Sequence, residues 1–439
     1  MGRHLSTRSG GRLSARLLPA LVVCGGLALT GAAGAFGLSR LQTTPETALA
    51  LWPWRAGPHL HLGQAALATK DEAGALSQAR QALEHDPLSV RAYSMLGQAA
   101  VVRGDTARAD ALMAAAARRS LRDAPSQTWI FARALERGDF PASLAAYDVL
   151  MRRRPDLAER LSPPVFAAAD GLGEARAALA ARLALNPGWR PSFLAAYSRA
   201  SAQPAAIHAL LSALRTTAAP PTDAEMRVYI DRLLRDRAYV AAYVAWAGHQ
   251  PGAAAEAGAG VSDASFEQEG LLLAPFGWTL TTGDGASAQR APLPDSDGFG
   301  LQATVSGGLA RRTIAEQMMV LPRGEYRLSG RVWLEGGDPD GRLVWTVQCE
   351  GGPRLLLASV EAPKGAAGAW TSFEAAVVVP GDCPAQRLRL EARPGASLAQ
   401  VSMVFDDIDL VRSGGGARPD GAAASDPSVD AGRGAGMTR

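Results

Sequence analysis

Two hydrophobic periods divide the chain. From about residue 44 to 248, apolar positions return every three or four residues, the spacing that lines one face of a helix. "EARAALAARLAL" (174–185) and "MRVYIDRLLRDRAYVAAYVAWA" (226–247) are examples. Beyond residue 263 the period drops to two. "EYRLSGRVWL" (325–334), "RLVWTVQC" (342–349), "FEAAVVVP" (373–380), "QRLRLEA" (386–392) and "QVSMVFDDIDLV" (400–411) read as strands. Turn chemistry separates them at Pro322-Arg323-Gly324, Gly336-Gly337-Asp338 and Pro380-Gly381-Asp382. The Gly-, Ala- and Pro-rich stretch between the regimes predicts a linker at 249–262. The expected fold class is multidomain, α then β: a helical domain over 44–248 and an antiparallel β-sandwich over 263–412.

The two ends follow other patterns. Arg3, Arg8, Arg12 and Arg16 lie in a basic segment (1–16) ahead of the uncharged "LLPALVVCGGLALTGAAGAFGL" (17–38). At about 1.5 Å per residue, a helix of this length crosses a hydrocarbon core of about 30 Å. The arginines would stay cytoplasmic, which predicts a single-pass inner-membrane protein of a bacterium with its bulk in the periplasm. A cleaved signal peptide is the alternative, with small residues at 33–35 for cleavage. Cys24 is a poor lipoprotein cysteine, because Val22-Val23 precede it and apolar sequence continues past it. The tail (413–439) has the composition of a disordered segment.

Within the helical half the sequence repeats. "LGQAA" occurs at 62–66 and 96–100, 34 residues apart. On that grid Gly63 matches Gly97, Ala75 matches Ala109, and Gly104-Asp105 matches Gly138-Asp139. Prolines at 53, 87 and 155 fall on it, with Leu121 at the missing node. These residues, with Tyr93, Leu96, Ala100, Met113 and Ala116, resemble the tetratricopeptide (TPR) repeat. The third copy departs from it, with Ile130-Phe131 where Leu-Gly is expected. The resemblance implies antiparallel helix pairs stacked into a solenoid with a concave partner groove. Repeat register would point Gln64, Leu67, Arg91, Ser94, Gln98 and Val101 into that groove; an ordinary solvated helix face is the alternative.

In the β half, "DASFEQEGLLLAPFGWTL" (263–280), "LPRGEYRLSGRV" (321–332) and "FDDIDLV" (405–411) resemble galactose-binding-like carbohydrate-binding modules. The resemblance implies a jelly roll, a glycan as ligand, and a structural calcium near the last strand. Glu267 would be one ligand, and Asp406 or Asp407 would complete the set with backbone oxygens. By strand parity Tyr326, Leu328, Val332 and Leu334 face the core, and Arg327, Ser329, Arg331 and Trp333 face outward. Trp333 could stack a sugar ring while Arg327 and Arg331 pair an acidic group, or it could merely cover a loop. Arg387, Arg389 and Glu391 form a similar outward row, and Trp278 and Trp370 read as core. The same parity puts Val404, Asp406, Ile408 and Leu410 on one inward row, where Asp406 needs a cation or an arginine.

Composition adds the remaining limits. The net charge of +3 over 439 residues is too mild to argue for nucleic acid. Of three cysteines, Cys349 and Cys383 lie in the β half, and an oxidising compartment permits their disulfide; two buried thiols are the alternative. His59 and His61 lack an acidic or thiol cluster at metal spacing and read as a solvated helix start. Nucleophile-elbow, phosphate-loop and H-E-x-x-H motifs are missing, and nothing singles out Glu316, Glu325 or Glu335 as a glycosidase pair. The expectation is a non-enzymatic scaffold that needs no cofactor. Its solenoid would dock proteins and its sandwich would bind glycan, in envelope or exopolysaccharide synthesis or export. A glycan-active enzyme with a targeting module and a purely structural envelope scaffold are the alternatives.

Overall fold

A computed structural model describes residues 44–413, apart from 251, 253–259, 271, 284, 307–310, 367 and 396–398. The basic segment 1–16, the expected membrane span 17–38 with Cys24, most of the linker and the tail beyond Ser413 lie outside the described residues. Among the described residues no helix is long and apolar enough to cross a membrane.

The chain forms two compact units, Met1–Pro221 and Thr222–Arg439. The first is helical: α1 (Pro45–Leu51), α2 (Ala56–Ala68), α3 (Glu72–His85), α4 (Val90–Arg103), α5 (Thr106–Arg119), α6 (Ala124–Glu136), α7 (Phe140–Arg153), α8 (Ala158–Gly171), α9 (Gly173–Leu183), α10 (Arg190–Ala200) and α11 (Pro204–Leu214). Neighbouring helices pair as α2 with α3, α4 with α5 and α6 with α7. The turn within each pair repeats every 34 residues. Asp71, Asp105 and Asp139 cap the second helix by accepting from the backbone N–H of Gly74, Arg108 and Ala142 at 2.9, 3.0 and 3.1 Å. The residue before each cap is left-handed: Lys70 (φ 60°), Gly104 (φ 80°) and Gly138 (φ 74°). Glycine suits this conformation, and Lys70 adopts it at a steric cost. Gly97 lets α4 approach α5, since a Cβ there would stand 3.0 Å from the Met113 side chain. Phe131 replaces the glycine in the third pair and packs against Tyr147, with ring centroids 5.8 Å apart. This half is consistent with a helical repeat.

His59 is buried rather than solvated. Its Nδ1 lies 2.8 Å from Gln78 Oε1 and its ring stacks on His85 at 5.5 Å, because α3 folds back over α2.

The second unit begins earlier than the linker composition suggests. Helices α12 (Asp223–Arg235) and α13 (Tyr239–His249) belong with the β half. Tyr243 and Trp246 of α13 pack on Phe276 at 5.4 and 5.7 Å, so apolar burial reaches across the 249–262 stretch. The strands are β1 (Thr279–Leu280), β2 (Ala286–Pro292), β3 (Phe299–Val305), β4 (Arg312–Met319), β5 (Gly324–Gly336), β6 (Leu343–Glu350), β7 (Leu356–Glu361), β8 (Trp370–Val379), β9 (Ala385–Ala392) and β10 (Val401–Arg412). They form two five-stranded antiparallel sheets, β1-β4-β9-β6-β7 and β2-β3-β10-β5-β8. Between the sheets Phe266, Trp278, Trp345 and Phe405 form a chain of ring contacts spaced 5.2, 6.0 and 5.6 Å. Cys349 at the end of β6 and Cys383 in the β8–β9 turn are joined by a disulfide, with Cα atoms 5.5 Å apart.

The inward row expected on β10 is broken. Val401, Met403 and Phe405 are fully buried in the core, and so is Ile408. Asp406 pairs with Arg331 and Asp409 with Ser329, so β10 carries one residue more than β5 across this interval. This bulge, in which Asp407 is left-handed (φ 54°), flips the parity of the strand. Val404 and Asp406 therefore lie on the outer row, opposite Trp333 and Arg331, while Ile408 and Leu410 face inward.

Candidate functional site

The outer face of the β2-β3-β10-β5-β8 sheet gathers the residues with binding chemistry. Along β5 the side chains alternate as expected: Tyr326, Leu328, Val332 and Leu334 are buried, while Arg327, Ser329, Arg331 and Trp333 stand on the outer row. Strand β8 runs antiparallel beside it, bringing Trp370 opposite Trp333, Ser372 opposite Arg331 and Glu374 opposite Ser329. The two indoles meet edge to face with centroids 5.6 Å apart, and both are partly exposed. Trp370 is thus not a core residue, whereas Trp278, 2% exposed, is. The strand pattern beginning at 373 hid this. Continued back by parity, it puts Trp370 on the row of Ser372 and Glu374.

Arg331 is the hub of the face. Its guanidinium carbon lies 4.4 Å from the Trp370 ring centroid. Its Nε lies 3.1 Å from Asp406 Oδ2 and 3.0 Å from Asp407 Oδ2. Burial pushes the Asp406 carboxyl above its usual range, while hydrogen bonds from Arg331 and the Asp407 backbone N–H oppose that shift. Trp370 Nε1 donates to Asp295 Oδ2 at 2.9 Å. Over the outer face of β5 and β8 lies an open groove of about 550 Å³, lined by Arg327, Ser329, Arg331, Ser372, Glu374 and Asp407 among others. Toward β2 the face continues as a polar ladder: Gln289 donates to Gln302 at 2.9 Å, and Gln302 and Ser402 donate to Glu335 at 2.8 and 2.6 Å.

The three carboxylates expected at a calcium have protein partners here. Glu267 accepts from the Phe299 backbone N–H at 2.9 Å, while Asp406 and Asp407 are held by Arg331. Arginine thus meets the need of the buried Asp406 for a positive partner. Among the described residues no group of three or more His, Cys, Asp or Glu is arranged to hold a metal ion.

The opposite sheet is already neutralised. Arg387 pairs with Glu316 and Glu350, both at 3.2 Å, and Arg389 with Glu316 at 3.0 Å. Glu391 shares their row by strand pairing, yet is only 5% exposed because Arg311 and Arg393 cover it. Glu325 and Glu335 stand at opposite ends of β5, about 33 Å apart at 3.3 Å per residue, far beyond the roughly 5–9.5 Å of a glycosidase pair.

In the helical half, three of the residues expected in a groove line a cleft of about 640 Å³: Leu67, Gln98 and Val101. Trp129, Arg154 and Arg160 are among the other residues of its wall. Gln64 and Arg91 are exposed but outside the cleft lining. Ser94 is 2% exposed and donates to Asp123 Oδ1 at 3.1 Å, so it ties α4 to the cap of α6 instead of facing a partner.

No family model matches the sequence, and no curated protein matches it. Among solved structures, one described as a family 4 carbohydrate-binding module shares 15% identity at a TM-score of 0.26, covering 35% of this chain and 99% of that one. TmCBM61 in complex with β-1,4-galactotriose shares 14% identity at a TM-score of 0.24, covering 35% and 99%. The xylan-binding CBM22-1 domain of Paenibacillus barcinonensis Xyn10C shares 18% identity at 0.24, covering 34% and 90%.

Proposed function

We propose that the sandwich is a glycan-binding module whose site is the β5–β8 face, and that the chain binds rather than transforms its ligand. The observation that carries this reading is the Trp333–Trp370 pair, partly exposed beside a groove with hydroxyls and charges at Ser329, Ser372, Arg327 and Glu374. Indole faces cover the apolar side of a sugar ring, and flanking polar groups meet its hydroxyls. The helical half is a TPR-like scaffold, supported by the 34-residue recurrence of cap and turn, and its cleft docks a protein partner. Residues 17–38 anchor the chain in a bacterial inner membrane with both units in the periplasm, a reading supported by their apolar run and the arginines before it. The combination suits envelope or exopolysaccharide synthesis or export.

The test is a glycan array probed with the purified chain, alongside Trp333→Ala. Binding that Trp333→Ala abolishes supports the reading. An array on which no glycan is retained discards it, and release of reducing ends from a bound glycan discards the non-enzymatic part.

A further inference from the structure

The charge of the β5–β8 face identifies the class of glycan, and this step rests on the glycan-binding reading above. Two guanidinium groups, Arg327 and Arg331, meet four carboxylates there: Asp295, Asp406, Asp407 and Glu374. The bulge in β10 splits its two aspartates. The Asp406 side chain is 3% exposed under Arg331, and the Asp407 side chain, on the left-handed residue, is 61% exposed at the groove. Arg331 is consumed by this arrangement, since it serves both aspartates and covers Trp370. Arg327 has one loose partner, Glu374, at 3.9 Å, with both side chains mostly exposed at 63% and 71%.

An acidic sugar entering this groove meets surplus negative charge. The better placed arginine could receive it only by abandoning a buried aspartate, which leaves an uncompensated charge. On this argument Arg331, unlike the loosely held Arg327, is withdrawn from the expected pairing of the two arginines with an acidic group. A free ammonium on the sugar meets exposed carboxylates instead, while Trp333 remains for the ring face. We infer that the β5–β8 face selects amino-sugar glycans carrying free ammonium groups over acidic glycans.

The experiment titrates the full chain with four oligosaccharides of equal length: glucosamine, N-acetylglucosamine, neutral glucan and galacturonate, at mildly acidic pH and at low and high salt. The glucosamine oligomer should bind about five- to tenfold more tightly than its acetylated form at low salt, and the gap should shrink at high salt. Asp407→Asn and Glu374→Gln should each narrow that gap. Both positions are exposed, and asparagine tolerates the left-handed backbone at 407, so the variants should fold. Trp333→Ala should weaken both forms, which separates recognition from general attraction of a polycation to an acidic surface. Equal affinity for glucosamine and N-acetylglucosamine oligomers, or preference for galacturonate, overturns the inference and leaves glycan binding standing. Retention of none of the four overturns this inference, and the glycan array then decides the reading beneath it.

Discussion

Arg331 and Asp406 face each other across β5 and β10, with the guanidinium Nε 3.1 Å from a carboxylate on a residue only 2% exposed. The pair belongs to the outer row, yet its acidic partner is buried under Arg331, which in turn packs on the Trp370 ring. Removing one side of such a pair is asymmetric. Arg331→Ala strands a buried charge and should cost about 3–5 kcal/mol, whereas Asp406→Asn leaves Arg331 with Asp407 and should cost about 1–2 kcal/mol. Urea unfolding of the two variants checks the order; equal losses would show that the carboxylate does not depend on Arg331.

Trp333 and Trp370 should contribute to binding beyond their contribution to folding. Trp333→Ala should weaken any glycan that binds by at least about tenfold, equivalent to about 1.4 kcal/mol. Trp278→Ala, in the core, should cost about 3–5 kcal/mol of stability instead. Calorimetry on the first and thermal melts on the second distinguish the two roles.

The disulfide closes a loop across a sequence separation of 34. Replacing Cys349 and Cys383 with serine should lower the stability of the second unit by about 2–4 kcal/mol. Reductant should shift the unfolding midpoint of the native chain in the same direction and leave the double variant unmoved.

Lys70 occupies the left-handed position that Gly104 and Gly138 hold in the next two turns. Lys70→Gly should therefore be neutral or stabilising, by up to about 1 kcal/mol, and Gly104→Lys destabilising by about 1 kcal/mol. Opposite shifts in thermal midpoint would establish the three turns as equivalent; losses at both sites would deny it.

Two histidines make the helical half sensitive to acid. Burial, then the charge of Arg91, holds His61 below its ordinary value of 6.5, and burial, then Arg215, does the same for His208. The unfolded chain takes up these protons first. Stability is therefore full above the ordinary histidine range and falls as pH drops through it toward the lower folded values. His208→Gln should flatten the decline of the thermal midpoint with acidification.

Periodicity alone determined much of this protein. The switch from helical to alternating pattern located both halves, and five strands were legible to within a few residues. Each core-facing side chain of β5 was readable because its neighbours two positions away carry the same signal. The signal was weaker elsewhere: β2 and β4 mix polar residues into both rows, β1 has two residues, and the alternation of β3 and β7 spans only seven and six residues. Tertiary structure decided the site. The bulge at Asp407 reversed the parity of half a strand and set Asp406 opposite Arg331. The register of β8 against β5 brought Trp370 to Trp333. Periodicity is local, whereas register and bulges are set by pairing between segments distant in the chain. The same distinction placed Ser94 inside the helical half and α13 against the sandwich, because burial depends on what a face meets.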